Sequence, residues 1–179
     1  MAVFNSDQYS HLALHKGNPC HDELVKICSE DVLDDNGDID PKKMAAVIFS
    51  DEEKRLAVNG VVHPFVREGM HKFFDNHKDD AFVFAEVPLL FEAGWEVDFD
   101  EIVLVTCDQE IAIERMMSDR GYTREQALER CSRQIDPEIQ KAKADRIIYN
   151  NGSLKDLDSE INAWMKEMRK EMRDGNQSA

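Results

Sequence analysis

The chain has 179 residues, 42% apolar and 33% charged, which suits one soluble globular domain or one core with a small inserted lid. Its 22 Lys and Arg stand against 37 Asp and Glu, a net charge of −15, which argues against general nucleic-acid binding. No apolar run is long enough for a membrane helix, and the start MAVFNSDQYS has no signal-peptide pattern, so the expected compartment is the cytoplasm.

In chain order, Val3-Phe4 form a short apolar pair followed by Asn5-Ser6-Asp7. Asp7 could accept a proton from an attacking hydroxyl, or cap a helix starting near Gln8. Residues 19–30 read as a helix with Pro19 near its first turn and Leu24, Ile27 and Cys28 on one face. Cys20, His21 and Cys28 could begin a zinc site, but no second ligand pair follows, so no metal is expected; the four cysteines read as reduced thiols. Asp34-Asp35-Asn36-Gly37-Asp38 reads as a turn. As a calcium loop with Gly37 sixth it would put Val32 first and Lys43 twelfth, where acids are needed.

Residues 41–49 and 51–61 read as helices, with Ser50 as N-cap and Glu53 completing a capping box. Residues 63–77 read as a further helix with Pro64 in its first turn. Buried strands are expected at 81–87, 101–107 and 146–149, with helices between them, which implies an α/β fold with a parallel sheet covered on both faces. Residues 154–173 form an amphipathic helix, with Leu154, Leu157, Ile161, Trp164 and Met168 at helical spacing. Residues 174–179 are expected to be a disordered tail.

Five stretches could carry chemistry. Asn5-Ser6-Asp7 is one. Glu86 lies near the end of an apolar strand and leads into Pro88-Leu89-Leu90-Phe91-Glu92, at the strand end where α/β proteins hold ligands. His63 before Pro64 reads as a cap, a surface residue or a substrate contact. Arg115, Arg120, Arg124, Arg130 and Arg133 concentrate positive charge in an acidic chain, as a nucleotide lid or as a solvated face with intrahelical ion pairs. Thr123 and Gln126 make a capping box there. Asp145 to Gly152 run from a strand into an Asn/Gly turn that could touch a base or ribose, or simply turn.

Taken together, the order of Asn5-Ser6-Asp7, Gly37-Asp38-Ile39-Asp40, Ile48-Phe49, His63-Pro64, Pro88 to Glu92, Phe99-Asp100, Arg115 and Arg120, Gln134, Ala144-Asp145 and Asn150 resembles the dephospho-coenzyme A kinase family over nearly the whole chain. The resemblance implies a P-loop kinase fold with a helical substrate-binding region (residues 12–80), a core (81–110 and 144–173) and a lid (115–143). It implies ATP-dependent phosphorylation of the 3′-hydroxyl of dephospho-CoA, with ATP and Mg²⁺ as co-substrate. Asp7 would orient or deprotonate that hydroxyl. His63, Leu89, Leu90 and Glu92 would lie on the substrate side, Arg115 and Arg120 on the ATP phosphates, and Asn150 near the adenine. Another nucleotide kinase would share the lid but not the Pro88 to Glu92 string or His63-Pro64.

The sequence departs from the family pattern at Asn5, where the first Asp of a D-x-D is usual, at His11 for an Arg, and at Ala112 for a Gln. None of the eight glycines opens or completes a G-x-x-x-x-G-K-[ST] loop. About thirty residues of strand, loop and helix are expected to be missing on the size of such a unit. Two expectations follow: a protein that continues upstream of Met1 with a P-loop, or a P-loop-less binding relative that keeps the dephospho-CoA site. In either case this chain is expected to have little kinase activity, and its uncovered sheet edge implies pairing with a second copy.

Overall fold

The computed structural model describes residues 1–176, with side chains to Asp174. The chain divides into two compact units, Met1–Pro88 and Leu89–Ala179.

The first unit opens with β1 (Ala2–Asn5) and α1 (Ser6–Ser10), followed by a 3₁₀ turn over His11–Leu14. Next come α2 (His21–Cys28), α3 (Pro41–Ser50), α4 (Glu52–Asn76) and β2 (Val83–Glu86). β1 and β2 pair in parallel, Ala2 opposite Val83 and Asn5 opposite Glu86. Between them the helices close over Ala13, Leu14, Leu24, Cys28, Val32, Ile39 and Val58, with Met44, Val47 and Ile48 packed against this core. Burying a side chain the size of Leu24 contributes roughly 1.5–3 kcal/mol. The expected turn is present. Asp34 accepts the N–H groups of Asn36 and Asp38 at 2.8 and 3.0 Å, Gly37 takes φ +83°, and Leu33 bridges Ile39. Buried His21 holds this turn to α2, its Nε2 2.9 Å from the Gly37 carbonyl.

Three expectations are corrected here. The helices read at 51–61 and 63–77 are one helix, with Pro64 inside it. Pro64 leaves the carbonyl four residues back, on Gly60, without its donor. Burial of Val58, Val66 and Met70 on either side carries the helix through that gap. The cap of α4 is Asp51, which accepts the Lys54 N–H at 3.0 Å; Ser50 ends α3, and its hydroxyl donates to the carbonyls of Ala46 and Val47. The cap of α1 is Asn5 rather than Asp7.

The second unit contains α5 (Leu90–Ala93), a 3₁₀ turn at Glu96–Asp98, β3 (Val103–Thr106) and α6 (Gln109–Arg120). α7 (Arg124–Ser132), α8 (Pro137–Lys143), β4 (Arg146–Tyr149) and α9 (Leu154–Asn176) complete it. β3 and β4 are parallel, Val103 opposite Arg146. Both ends of this pair are pinned by side chains: Asp145 accepts the Ile102 N–H and Asn151 the Asp108 N–H, each at 2.8 Å. Arg146 ties β4 to Glu167 of α9 at 2.7 Å. The capping box of Thr123 and Gln126 is formed on both sides.

The parallel, α/β character is as expected, but the strands are half-buried rather than buried, with Val105 53% and Tyr149 47% exposed. Each sheet has two strands, so every strand keeps one edge unpaired among the described residues. Leu154, read as part of the apolar face of α9, is exposed at its first turn, while Leu157, Ile161, Trp164 and Met168 are half-buried. α9 runs through 174–176, where a tail was expected; 177–179 lie outside the described residues.

Candidate active site

In the first unit, the carboxyl ends of β1 and β2 bring Asn5 and Glu86 side by side. Parallel α/β sheets hold ligands at this end. Asn5 uses both halves of its amide there: Oδ1 accepts the Gln8 N–H at 2.8 Å, and Nδ2 donates to Glu86 Oε2 at 2.5 Å. A carboxylate at position 5 could accept from Gln8 but would need a shared proton to bond Glu86. Asp7 stands two residues on, exposed in the first turn of α1, where a negative charge suits the helix dipole. Its carboxylate makes no hydrogen bond among the described residues.

His63 lies half-buried in α4. α1 packs on that helix beside it: the Tyr9 and Phe65 rings are 5.1 Å apart, and Tyr9 also lies against Gly69. Asp7 and His63 are thus carried by two helices in direct contact. Burial holds the His63 imidazole below its ordinary 6.5. The folded state therefore favours the neutral ring, and the unfolded chain binds the proton more readily. Its contribution to stability is complete above 6.5 and is lost as the pH falls through that value toward the folded pKa. Urea unfolding between about pH 7.5 and about pH 5.5 should show this loss, and His63→Gln should remove that part of the slope.

In the second unit, Leu89 is 45% exposed and Leu90 half-buried at the start of α5. Glu92, expected on the substrate side, has Oε1 3.0 Å from the Ile135 nitrogen and accepts its N–H. Arg115 and Asn150 are brought together. The guanidinium of Arg115 donates to the carbonyls of Asn150 and Gly152 at 2.8 and 3.2 Å, and the Asn150 N–H reaches Thr106 at 2.7 Å. Arg115 thus braces the turn from β4 to α9. Arg120, exposed at the end of α6, has no side-chain partner among the described residues. Arg124 is held by both oxygens of Glu110 at 2.9 and 2.8 Å, a partner on α6 rather than one within its own helix. Arg130 lies over the Tyr122 ring, 4.3 Å from its centroid.

No group of three His, Cys, Asp or Glu side chains among the described residues could hold a metal ion. Burial pushes the Cys20 and Cys28 thiols up, away from reactivity. No helix among the described residues is long and apolar enough to cross a membrane. Sequence reasoning missed the pairing of Asn5 with Glu86 and the pins at Asp145 and Asn151, all contacts across long sequence separations that no local pattern encodes.

A family model described as dephospho-CoA kinase matches residues 1–156. The chain belongs to the dephospho-CoA kinase family. The dephospho-CoA kinase of Bacillus licheniformis is 34% identical over 163 residues, 90% of this chain and 81% of that protein. That of Geobacillus kaustophilus is 30% identical over 169 residues, 93% of this chain and 84% of the relative. A crystal structure of a Thermus thermophilus protein superposes with a TM-score of 0.76 at 32% identity, covering 93% of this chain and 84% of its own. The dephospho-CoA kinase from Campylobacter jejuni gives 0.69 at 25% identity, covering 95% and 86%. Dephospho-CoA kinases are phosphotransferases of coenzyme A biosynthesis, with ATP and dephospho-CoA as substrates. The match over Met1 to Asp156 takes in both units up to the first turn of α9.

Proposed function

We propose that Asp7 is the group that receives the proton of the ribose 3′-hydroxyl as ATP phosphorylates dephospho-CoA. The observation that carries this reading is the exposed Asp7 carboxylate, without a hydrogen-bond partner among the described residues, just beyond the end of β1 and beside the fixed pair of Asn5 and Glu86. As the hydroxyl oxygen bonds to the γ-phosphorus, its proton passes to Asp7, the bond from phosphorus to the bridging oxygen breaks, and ADP leaves with the electron pair. Arg120, with no side-chain partner among the described residues, supplies positive charge to the transferring phosphoryl group. Leu89 and Leu90 offer apolar surface to dephospho-CoA, and neutral His63 offers it a hydrogen bond. Asn150 and Arg115 form the brace at the nucleotide end. Mg²⁺ enters with ATP; no residue is assigned to it. The reaction belongs in the cytoplasm.

Phosphate cradling contributes much of the catalysis in P-loop kinases, and the 179 residues contain no G-x-x-x-x-G-K-[ST] stretch. The polypeptide as it stands is therefore expected to bind dephospho-CoA and to turn it over slowly. Calorimetric titration of dephospho-CoA and of ATP, beside an assay of ADP release, tests this. Heat of binding from dephospho-CoA is the expected result. No binding of either substrate would overturn the reading.

A further inference from the structure

The segment joining α7 to α8 is held from outside at one backbone group. The Arg133 and Gln134 N–H groups turn back to the carbonyls of Arg130 and Cys131, at 3.3 and 3.2 Å. The next N–H, on Ile135, leaves the segment and is accepted by Glu92 Oε1 of α5, 43 residues away. Asp136 then caps α8 by accepting the Glu138 N–H at 2.8 Å. The far end of α8 returns to the same region. Lys143 Nζ is 2.5 Å from Glu96 Oε1 and 5.5 Å from the centroid of the Phe91 ring. Lys143 holds the Glu96 carboxyl below the usual carboxylate range. Residues 91–96 therefore grip α8 at both ends.

At its other end, α7 is held to α6 through the exposed pair of Arg124 with Glu110, while Arg130, in the last turn of α7, lies over Tyr122 of the α6–α7 connection. Exposed pairs of this kind are weak and exchange readily for another anion. A phosphate that draws Arg124 from Glu110 frees that end of α7, while the Ile135 end stays gripped.

We propose that Glu92 is a positioning residue that fixes Ile135 as the pivot of α7, with Lys143 and Glu96 completing the latch along α8. Glu92 then acts on the reaction through the arginines of α7 rather than by touching either substrate. The consequence for nucleotide binding rests on the lid reading of α7; the latch itself does not.

Amide exchange followed by NMR on the 179-residue chain, without nucleotide, reads the latch alone. Glu92→Ala should speed exchange at Ile135 by about tenfold or more, as expected for losing a hydrogen bond to a carboxylate. Glu92→Gln keeps an acceptor oxygen and should restore protection. The Asn150 N–H, bonded to Thr106 in the β3–β4 pair, should be unchanged in both. Unaltered exchange at Ile135 in Glu92→Ala, failure of Gln to rescue, or equal loss at Asn150 would overturn the latch. ATP titration then reads the pivot: affinity should fall severalfold in Glu92→Ala and return in Glu92→Gln. Loss of Ile135 protection with ATP affinity unchanged would refute the positioning role. If the unsubstituted chain binds no ATP, the lid reading and the pivot fall with it, and exchange still decides the latch.

Discussion

Asp7→Asn is expected to slow phosphoryl transfer to dephospho-CoA by about 10²–10⁴-fold, the usual contribution of a positioned general base. The substitution is nearly isosteric; it removes the negative charge and with it the capacity to take up a proton. Among the described residues Asp7 caps nothing and bonds no neighbour through its carboxylate, so only a small favourable interaction with the α1 dipole is lost and the fold is expected to stand. Affinity for dephospho-CoA should stay the same, because the amide can still accept a hydrogen bond from the hydroxyl. Transfer of labelled phosphate from ATP is sensitive enough to follow a slow reaction, and calorimetry gives the affinity. A variant that transfers phosphate as fast as the parent would remove Asp7 from the chemistry. A variant that loses affinity and rate together would make it a binding residue.

The second large effect is on stability. Gly69→Ala would place a Cβ 2.2 Å from Cε1 and Cζ of Tyr9 and 2.6 Å from its hydroxyl oxygen. Tyr9 cannot simply step aside, since its ring also packs 5.1 Å from Phe4 and 5.1 Å from Phe65. Alanine improves helix propensity by about 1 kcal/mol. Overpacking a filled site costs about 1–3 kcal/mol, and more where the obstacle is a wedged ring. The net expectation is a loss of about 2 kcal/mol on this balance, seen as a lower midpoint in urea unfolding. Tyr9 sits on α1 two residues after Asp7, so a displaced ring also tilts the helix that carries the proton acceptor. Tyr9→Phe removes the hydroxyl contact but keeps the ring clash, and should recover little. Tyr9→Ala in the Gly69→Ala background opens space for the new methyl group, and the two changes should then be less than additive.

The strands were legible because their apolar, β-branched runs are short and bounded by turns. The 146–149 segment matches β4 at both ends. Helix boundaries were less so, and each error has a local cause. Pro64 looks like a helix start, yet burial of Val58, Val66 and Met70 outweighs one lost hydrogen bond. Ser50 and Asp51 are both good caps, and only the backbone decides between them. Asn5 takes the cap of α1 because it is the last residue of β1, which a reading from Asp7 onward overlooks. At the candidate site, the residue types and their order carried the family resemblance, but their partners were hidden. Asn5 meets Glu86 across 81 residues, Arg115 meets Asn150 across 35, and Glu92 meets Ile135 across 43. Such pairings depend on register and packing, which no local pattern contains.

The parallel pairing of β1 with β2 also sets an order of assembly. Its partners are 81 residues apart, against 43 for β3 and β4. The difference in loop-closure entropy is only about half a kcal/mol, since that cost grows with the logarithm of length. What fills the longer loop matters more. The bridge of Leu33 with Ile39 and the packing of α3 on α4 are local, so the helical insert can form before the two strands meet. The contact of Asn5 with Glu86 then closes after the helices, and the surroundings of Asp7 are completed only when the first unit has finished folding.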